Sequence, residues 1–264
     1  MTTCKEIINC IEKLAPVSYA ESWDNVGLLV GDRVKEVHRI MTALDATDSV
    51  IAQAVEAKAD MLVTHHPMIF SAIKHVTNDD FIGRRIIRLI QNDISYYAMH
   101  TNCDVCIMND VAAEMIGLSK EDVLEEVGKN PETGKAAGIG TVGDLKEPVT
   151  VRELAELVKE VFGISHVRVT GDLERMVQRA AISTGAGKSM AEYARQKGAQ
   201  VFISGDLDHH TVIDMLDQGM QIIDAGHYGT EHFMAEYMFT YLQKQFGDMV
   251  DIVQAKETDP FITI

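Results

Sequence analysis

The chain of 264 residues is 46% hydrophobic and 24% charged, a composition typical of globular proteins that bury a sizeable core. Its formal net charge of −16 argues against a nucleic-acid partner, because such a partner requires a basic surface. There is no run of 18 apolar residues, and the N-terminal "MTTCKEIINC" lacks the layout of a signal peptide. Four cysteines are too few for a secreted disulfide scaffold. We therefore predict a cytoplasmic protein that does not span a membrane.

The first half of the chain alternates between predicted helices and strands. Thr3 and Glu6 form a capping box ahead of a helix with regularly spaced apolar residues. The next segments are predicted as strand, strand, helix, strand, helix and strand: "VGLLVG", "VHRIMTAL", "SVIAQAVEAKA", "DMLVT", "FIGRRIIRLIQND" and "ISYYAM". This alternation predicts an α/β fold with mostly parallel sheets.

A Gly-rich segment divides the chain into two predicted lobes. Residues 128–145, "GKNPETGKAAGIGTVGDL", lack helical periodicity and are the predicted domain junction. The first α/β lobe then covers residues 1–127 and the second covers residues 128–264. Thr150 is the predicted cap of an amphipathic helix, "TVRELAELVKEVFG", in the second lobe. The C-terminal helix is predicted to pack back on the first lobe.

Residues 39–66 and 179–206 indicate an internal repeat. A gapless alignment matches "ADMLVT" with "AQVFIS" and places His65–His66 opposite Gly205–Asp206. The apolar pattern agrees across two strands and a helix. Duplicated α/β units place equivalent strand ends at one edge of a sheet, which is where such folds bind ligands.

The segment "MLVTHHPMIF", residues 61–70, ends a predicted strand on two histidines and a proline. A polar turn is one interpretation, because neighbouring strand residues point to opposite faces. However, Pro67 cannot continue a central strand and favours an extended conformation at His66. At such a break both histidines can turn towards one cleft and serve two different metal ions.

Two further strand ends combine a histidine with a carboxylate. "SYYAMHTNCD" contains His100 and Asp104, and "IIDAGHYGTE" contains His227 and Glu231 at the same spacing. If each segment begins a helix, the two side chains share a face. If they are turns, the pairs still lie at the carboxyl edge of the strands. Together with the His-His-Pro segment they form one candidate metal site.

Two other motifs fit known sites poorly. "STGAGKS", residues 183–189, suggests a phosphate-binding loop, but Ile182 stands where that pattern requires glycine. We predict a Gly-rich turn between a strand and a helix instead. Cys103 and Cys106 form a C-x-x-C motif without a second pair at zinc-site spacing, and we predict that they are bystanders.

The chain resembles the NIF-three-like family, many of whose members are labelled homologues of GTP cyclohydrolase I type 2. The resemblance extends over essentially the whole chain and is carried, in the family order, by "ESWDNVGLLVG", "VTHHPMIF", "HTNCD", "ISGDLDHH" and "DAGHYGTE". It implies two similar α/β lobes, a toroidal homohexamer and a dinuclear metal centre. It also implies a set of metal ligands: His65, His66, Asp104, His227 and Glu231. The family usually has an apolar residue at the position of Cys103, and its larger members carry an inserted domain that this chain lacks.

This ligand set has chemical consequences. Three histidines and two carboxylates suit two divalent ions of Zn, Fe, Mn, Co or Ni better than Ca or Mg. Five ligands for two ions require sharing, and we predict that Glu231 bridges the two ions. Ions ~3.5–4 Å apart lower the pKa of a bridging water towards ~7, which yields a hydroxide for hydrolysis. Each ligating histidine is expected to donate its other ring N–H to an acceptor. Asp45 is one candidate acceptor, and His100 is predicted to lie outside the ligand set or to act as a proton shuttle.

Two functions remain open. One is a metal-dependent hydrolase acting on a nucleotide or phosphorylated small molecule, with GTP ring opening implied by the family label. The other is a non-catalytic metal-binding or metal-delivery protein. The sequence shows no constellation specific for guanine. The hydrolase is preferred, because mixed histidine and carboxylate sets are commoner in catalytic centres than in thiol-rich delivery proteins.

Overall fold

The computed structural model describes residues 1–129 and 134–264. Its helices, in chain order, are α1 (Cys4–Leu14), α2 (Asp48–Glu56), α3 (Phe81–Gln91), α4 (Thr101–Cys103), α5 (Asn109–Met115), α6 (Val151–Phe162), α7 (Ala191–Gln196), α8 (His209–Asp217), α9 (His227–Glu231) and α10 (Phe233–Phe246). Its strands are β1 (Gly27–Val30), β2 (Arg39–Ala43), β3 (Met61–Thr64), β4 (Ser95–Ala98), β5 (Leu118–Lys129), β6 (Ala136–Thr150), β7 (Arg168–Thr170), β8 (Met176–Ala186), β9 (Val201–Gly205), β10 (Gln221–Asp224) and β11 (Asp251–Gln254).

The chain forms two compact units. The first unit contains Met1–Cys103 and His232–Ile264, and the second contains Asp104–Glu231. This division differs from the predicted boundary after residue 127, because β5 and β6 pair with each other in the second unit. Residues 130–133 of the predicted junction lie outside the described residues. Helix α10 belongs to the first unit, where its backbone accepts a hydrogen bond from the Thr42 hydroxyl of β2.

The sheet of the first unit has the order β1-β4-β3-β2-β11. Its strands pair in parallel, except that β1 runs antiparallel to β4. All the elements predicted from α1 to β4 are present. The capping box of α1 forms as predicted, with the Thr3 hydroxyl accepting from the Glu6 amide and the Glu6 carboxylate accepting from the Thr3 amide. The carboxyl ends of β2, β3 and β4 therefore meet at one edge, and this edge carries the candidate histidines.

The sheet of the second unit has the order β5-β6-β8-β9-β10-β7 and mixes both pairing directions. Strands β8, β9 and β10 are parallel, whereas β5, β6 and β7 pair antiparallel. The α/β class with two sheets is confirmed. Parallel pairing dominates in the first sheet, whereas the second is mixed, because its chain enters through the β5–β6 hairpin.

The internal repeat is confirmed by strand register. Ile40 of β2 lies opposite Met61 of β3, and Ala180 of β8 lies opposite Val201 of β9 at the same spacing along the chain. In both units the next parallel strand, β4 or β10, is flanked by an antiparallel edge strand. The end of β9 in the second unit is therefore the equivalent of the end of β3 in the first.

Each unit buries its own apolar core. In the first, Ile51, Leu62, Leu89 and Tyr96 lie between the sheet and its helices. The second core includes Phe202 of β9, Ala194 of α7, Met215 of α8 and Ile222 of β10. Among the described residues, no helix combines the length and apolar character that crossing a membrane requires.

Candidate metal centre

The histidines of the His-His-Pro segment lie directly after β3, in the turn that Tyr96 stabilises. The Tyr96 hydroxyl donates to the His66 carbonyl (2.9 Å) and accepts from the Met68 amide (2.8 Å). Burial raises the pKa of Tyr96 to about 12, so the hydroxyl keeps its proton at neutral pH. Tyr96 therefore fixes the backbone that carries both histidines.

His65, His66 and His100 form a cluster in the first unit, hereafter the histidine cluster. One potential ligand atom of each lies within 4.8 Å of those of the other two. His65 is 3% exposed, whereas the side chains of His66 and His100 are partly open to solvent. The turn after β3 and the end of β4 thus bring together three histidines that the sequence assigned to one edge.

Each histidine of the cluster has its Nδ1 atom oriented by an oxygen acceptor. The acceptors are the Met99 carbonyl for His65, Asp45 for His66 and Asp24 for His100, each at 2.9 Å. Carbonyl and ionised carboxylate oxygens only accept, so Nδ1 carries a proton, and in the neutral imidazole Nε2 is the nitrogen with the lone pair. This is the arrangement that metal-binding histidines show. Asp45, which was a candidate acceptor for one of the ligating histidines, contacts His66.

Asp45 is itself held in position by the C-terminal segment. The Glu257 carboxylate accepts from the amides of Leu44 (2.7 Å) and Asp45 (3.0 Å). The backbone that presents Asp45 to His66 is therefore fixed by a residue near the end of the chain.

Asp24, which the sequence interpretation missed, orients His100. Burial tends to raise the pKa of this carboxyl, but hydrogen bonds from His100 and Thr101 outweigh that effect and lower its pKa to about 2. The adjacent Asn25 donates to the Ile69 carbonyl at 2.6 Å. The block "ESWDNVG" thus supports both His100 and the chain that follows the His-His-Pro turn.

The second unit supplies a histidine and a carboxylate from α9. The His227 Nε2 atom lies 3.0 Å from Glu231 Oε2 at the predicted spacing of one helical turn. The Asp206 carboxylate lies 2.9 Å from His227 Nδ1, so this histidine is oriented like those of the first unit. The sequence analysis assigned Asp206 no role, although the repeat aligns it with His66.

Gly185 makes room for the pair on α9. It has a positive φ of +66°, and a Cβ there would collide with Glu231 Oε1 and lie 3.3 Å from His227 Nε2. Its amide donates to the Thr230 hydroxyl (2.9 Å). The "STGAGKS" segment is thus a Gly-rich passage from a strand to a helix, as predicted, with one glycine packed against the candidate ligands.

Asp104 begins the second unit on a π-helix, Asp104–Met108, between α4 and α5. The side-chain amide of Asn109 donates to the Asp104 carbonyl (3.0 Å), and its oxygen accepts from the Thr184 amide (3.1 Å). A π-helical turn is rare and occurs frequently at functional sites. It distinguishes the Asp104 segment from the regular helix that carries Glu231.

The two cysteines of the C-x-x-C motif lie in this helical region and form no disulfide with each other. Cys103 is buried, and burial raises the pKa of Cys106 to about 11, with a smaller contribution from Asp110. In the metal-free protein a thiol with that pKa stays protonated at neutral pH.

The donor sets within each unit fit a divalent transition metal. Imidazole nitrogens with carboxylate oxygens match the preferences of Zn, Fe, Mn, Co and Ni. Glu231 is 4% exposed, and a carboxylate at such a position requires compensation by a cation or by hydrogen bonds. An ion bound ~2.0–2.2 Å from two donors keeps them about 3 Å apart, as His227 and Glu231 are.

The fold and these side chains define an α/β protein with histidine and carboxylate groups suited to divalent metal ions. The model of the family Duf34/NIF3 (NGG1p interacting factor 3) matches residues 2–260. The chain belongs to this family.

Sequences and structures of relatives agree with this assignment. A Clostridium acetobutylicum protein named GTP cyclohydrolase 1 type 2 homolog is 41% identical over 229 residues, which cover 86% of this chain and 84% of the relative. The structure of the Staphylococcus aureus hypothetical protein SA1388 is similar at a TM-score of 0.90, with 29% identity and 99% of both chains covered. Reduced HcgD from Methanocaldococcus jannaschii is 32% identical at a TM-score of 0.83 and covers 97% of this chain and 98% of its own.

Proposed function

We propose that this protein is a metal-dependent hydrolase that binds two divalent ions of Zn, Fe, Mn, Co or Ni. The ligands are those that the family resemblance implies: His65, His66, Asp104, His227 and Glu231. One observation carries the proposal: all three histidines of the set have Nδ1 held by an oxygen acceptor. This is the orientation that metal-ligating histidines show, and His100, which we place outside the ligand set, shares it.

The chain's own groups have distinct roles in this proposal. When bound, two such ions act as Lewis acids and lower the pKa of water towards ~7. Glu231 is the bridging carboxylate, because it is one methylene longer than Asp104. Asp24 holds the Nδ1 proton of His100, so the other ring nitrogen can exchange a proton with a substrate. His100 is therefore the proposed proton carrier.

The substrate class follows from the chemistry and from the names of relatives. Hydrolysis assisted by two ions suits an amide-like ring, a phosphoester or a nucleotide base. Relatives are named GTP cyclohydrolase 1 type 2 homolog, which makes the ring of a nucleotide the first substrate to test. We further propose a toroidal homohexamer, on the basis of the family resemblance, and a cytoplasmic location, on the basis of the sequence.

The decisive experiment compares Glu231→Gln with Asp104→Asn. Glu231→Gln keeps the side-chain size but removes the charge that offsets two cations. It should therefore lose at least one metal per chain and all hydrolysis. Asp104→Asn should retain more metal, because a terminal ligand serves one ion. Metal content is measured by elemental analysis, and turnover by a screen of nucleotides, phosphoesters and cyclic amides.

Glu236→Gln is the matched control, since this exposed carboxylate lies five residues further along the chain. It should retain both ions and full turnover. A Glu231→Gln protein that holds two ions and still hydrolyses substrate would refute the bridging role. A wild-type protein that binds two ions but turns over no member of the screen would instead be a metal-binding or metal-delivery protein.

A further inference from the structure

The first unit contains a pocket that the proposed metal chemistry does not explain. The pocket measures about 400 Å³ and has His66 and Asp45 in its wall. The rest of its lining comes from the turn before α2, the segment that follows the His-His-Pro turn, and the start of α3. Its volume lies in the range of small-molecule sites.

Half-exposed aromatic rings surround this pocket. Phe70 and Phe81 line it and are 54% and 53% exposed. Trp23, 56% exposed, lies 5.7 Å from the Phe70 ring centre, and both rings lie edge-on to His100 at about 6 Å. Large exposed aromatic side chains concentrated at one pocket indicate a binding site. Flat rings bury most area against another flat ring, so the geometry favours a planar ligand.

Arg85 supplies positive charge to the same pocket. Among the lining residues that the structure describes, it is the only lysine or arginine. Its guanidinium lies 4.9 Å from the Phe81 ring centre, and its Nε donates to Asp48 at 2.6 Å. These two contacts orient the guanidinium and use one of its five N–H donors. In a chain with a net charge of −16, an oriented arginine in a pocket is suited to an anionic group.

We propose that this pocket binds a small planar ring compound that carries an anionic group. The ring lies against Phe70 and Phe81, and Arg85 binds the anion. The inference rests on the proposed function, because His66 forms part of both the pocket wall and the proposed metal site. The inference adds to the proposed function a substrate class and the residues that recognise this substrate.

The test uses the metal-loaded full chain and two ligand pairs. GMP and 6-carboxypterin combine a ring with an anion, whereas guanosine and pterin lack the anion. Ribose 5-phosphate carries the anion but has no planar aromatic ring. Trp23 is the single tryptophan of the chain, so its fluorescence reports binding directly, and calorimetry gives the affinity.

We expect a ring anion to bind and to change the Trp23 fluorescence. Arg85→Gln should weaken that ring anion about tenfold, the effect of losing a charge-assisted hydrogen bond, and leave its neutral partner unchanged. The control Arg84→Gln, an exposed position on the same helix outside the pocket, should have no effect. Phe70→Ala should weaken both members of the pair, whereas the control Ile90→Ala, at an exposed position of α3, should weaken neither.

Two results would overturn the inference. One is the absence of binding by both ring anions to the wild-type protein. The other is equal affinity for the ring anion in Arg85→Gln and Arg84→Gln. Elemental analysis of the same samples separates this failure from failure of the proposed function. A wild-type protein without ions would refute the metal centre, whereas an Arg85→Gln protein with full metal content and unchanged affinity would refute only the pocket.

Discussion

Individual polar contacts, more than the ligands themselves, give the histidine cluster its geometry. Asp24, Asp45 and the Met99 carbonyl each hold one ring by its Nδ1 atom, and Tyr96 holds the backbone beneath two of those rings. Partners of this kind fix ring orientation and tautomer, and their loss typically costs 10–100-fold in metal affinity.

The neighbouring tyrosines Tyr96 and Tyr97 allow a matched test of this idea. Tyr96→Phe removes the bonds to the His66 carbonyl and the buried Met68 amide, which should lower the free energy of unfolding by ~1–3 kcal/mol and weaken metal binding about tenfold. Tyr97 is equally buried, but its hydroxyl has no hydrogen-bond partner among the described residues. Tyr97→Phe should therefore change neither quantity.

Urea unfolding of the metal-free proteins and a metal titration measure these two effects. Equal metal affinity in both variants would show that the Tyr96 hydroxyl does not position His66.

The residues of the candidate site that could be predicted from the sequence differ physically from those that could not. His65, His66 and Asp45 follow strands that are readable from the chain, and parallel strand ends meet at one edge. Asp24 lies before β1 and reaches His100 only through the folded structure. No spacing in the sequence encodes that contact. In the sequence, Tyr96 fits the apolar pattern of a strand, and nothing indicates that its hydroxyl bonds to the turn that carries His66.

At the level of elements, the passage from β8 towards α7 is shaped by His227 and Glu231, the proposed ligands on α9. Gly185 occupies a left-handed conformation against Glu231, so its role differs from that of a glycine in a simple turn. Gly163, at the C-terminal end of α6, has nearly the same φ of +63°, but a Cβ at this position would have no neighbouring atom within 4 Å.

Alanine variants of Gly185 and Gly163 distinguish the effect of backbone strain from the effect of steric contact. Gly185→Ala and Gly163→Ala should each lose about 1 kcal/mol of stability, because alanine is disfavoured at a positive φ. Gly185→Ala should in addition lose metal, since its Cβ displaces the Glu231 carboxylate. Elemental analysis after purification distinguishes the two. A Gly185→Ala protein with the metal content of Gly163→Ala would show that the close approach to Glu231 is unimportant for binding.

Some secondary-structure elements could be predicted from sequence patterns and others could not. The alternating strands and helices from α1 to β4 have regular apolar periods and were predicted, whereas the short edge strand β11 was not. The Gly-rich stretch within β6 has no such period, so it was interpreted as a domain junction. Its small residues instead pack in an extended strand between β5 and β8, a role that depends on neighbours distant in the chain.

At the scale of the whole molecule, the exposed C-terminal residues are relevant to assembly. Phe261 and Ile262 are 77% and 87% exposed, and side chains of this kind gain stability when a partner surface covers them. Light scattering at physiological salt should give a mass of about 175 kDa for six chains of 29.2 kDa. A mass equal to a single chain at micromolar concentration would contradict the hexamer without affecting the metal ligands.

The contact between Glu257 and Asp45 affects the order in which the two units can fold during synthesis. The second unit is continuous in the chain, so all its strands have been synthesised once residue 231 is in place. The first unit must wait for β11, its parallel partner for β2, and then for Glu257. Until then β2 has an unpaired edge on a nascent chain, a state prone to wrong pairing. We therefore expect the backbone that presents Asp45 to His66 to be fixed only after the whole second unit has been synthesised.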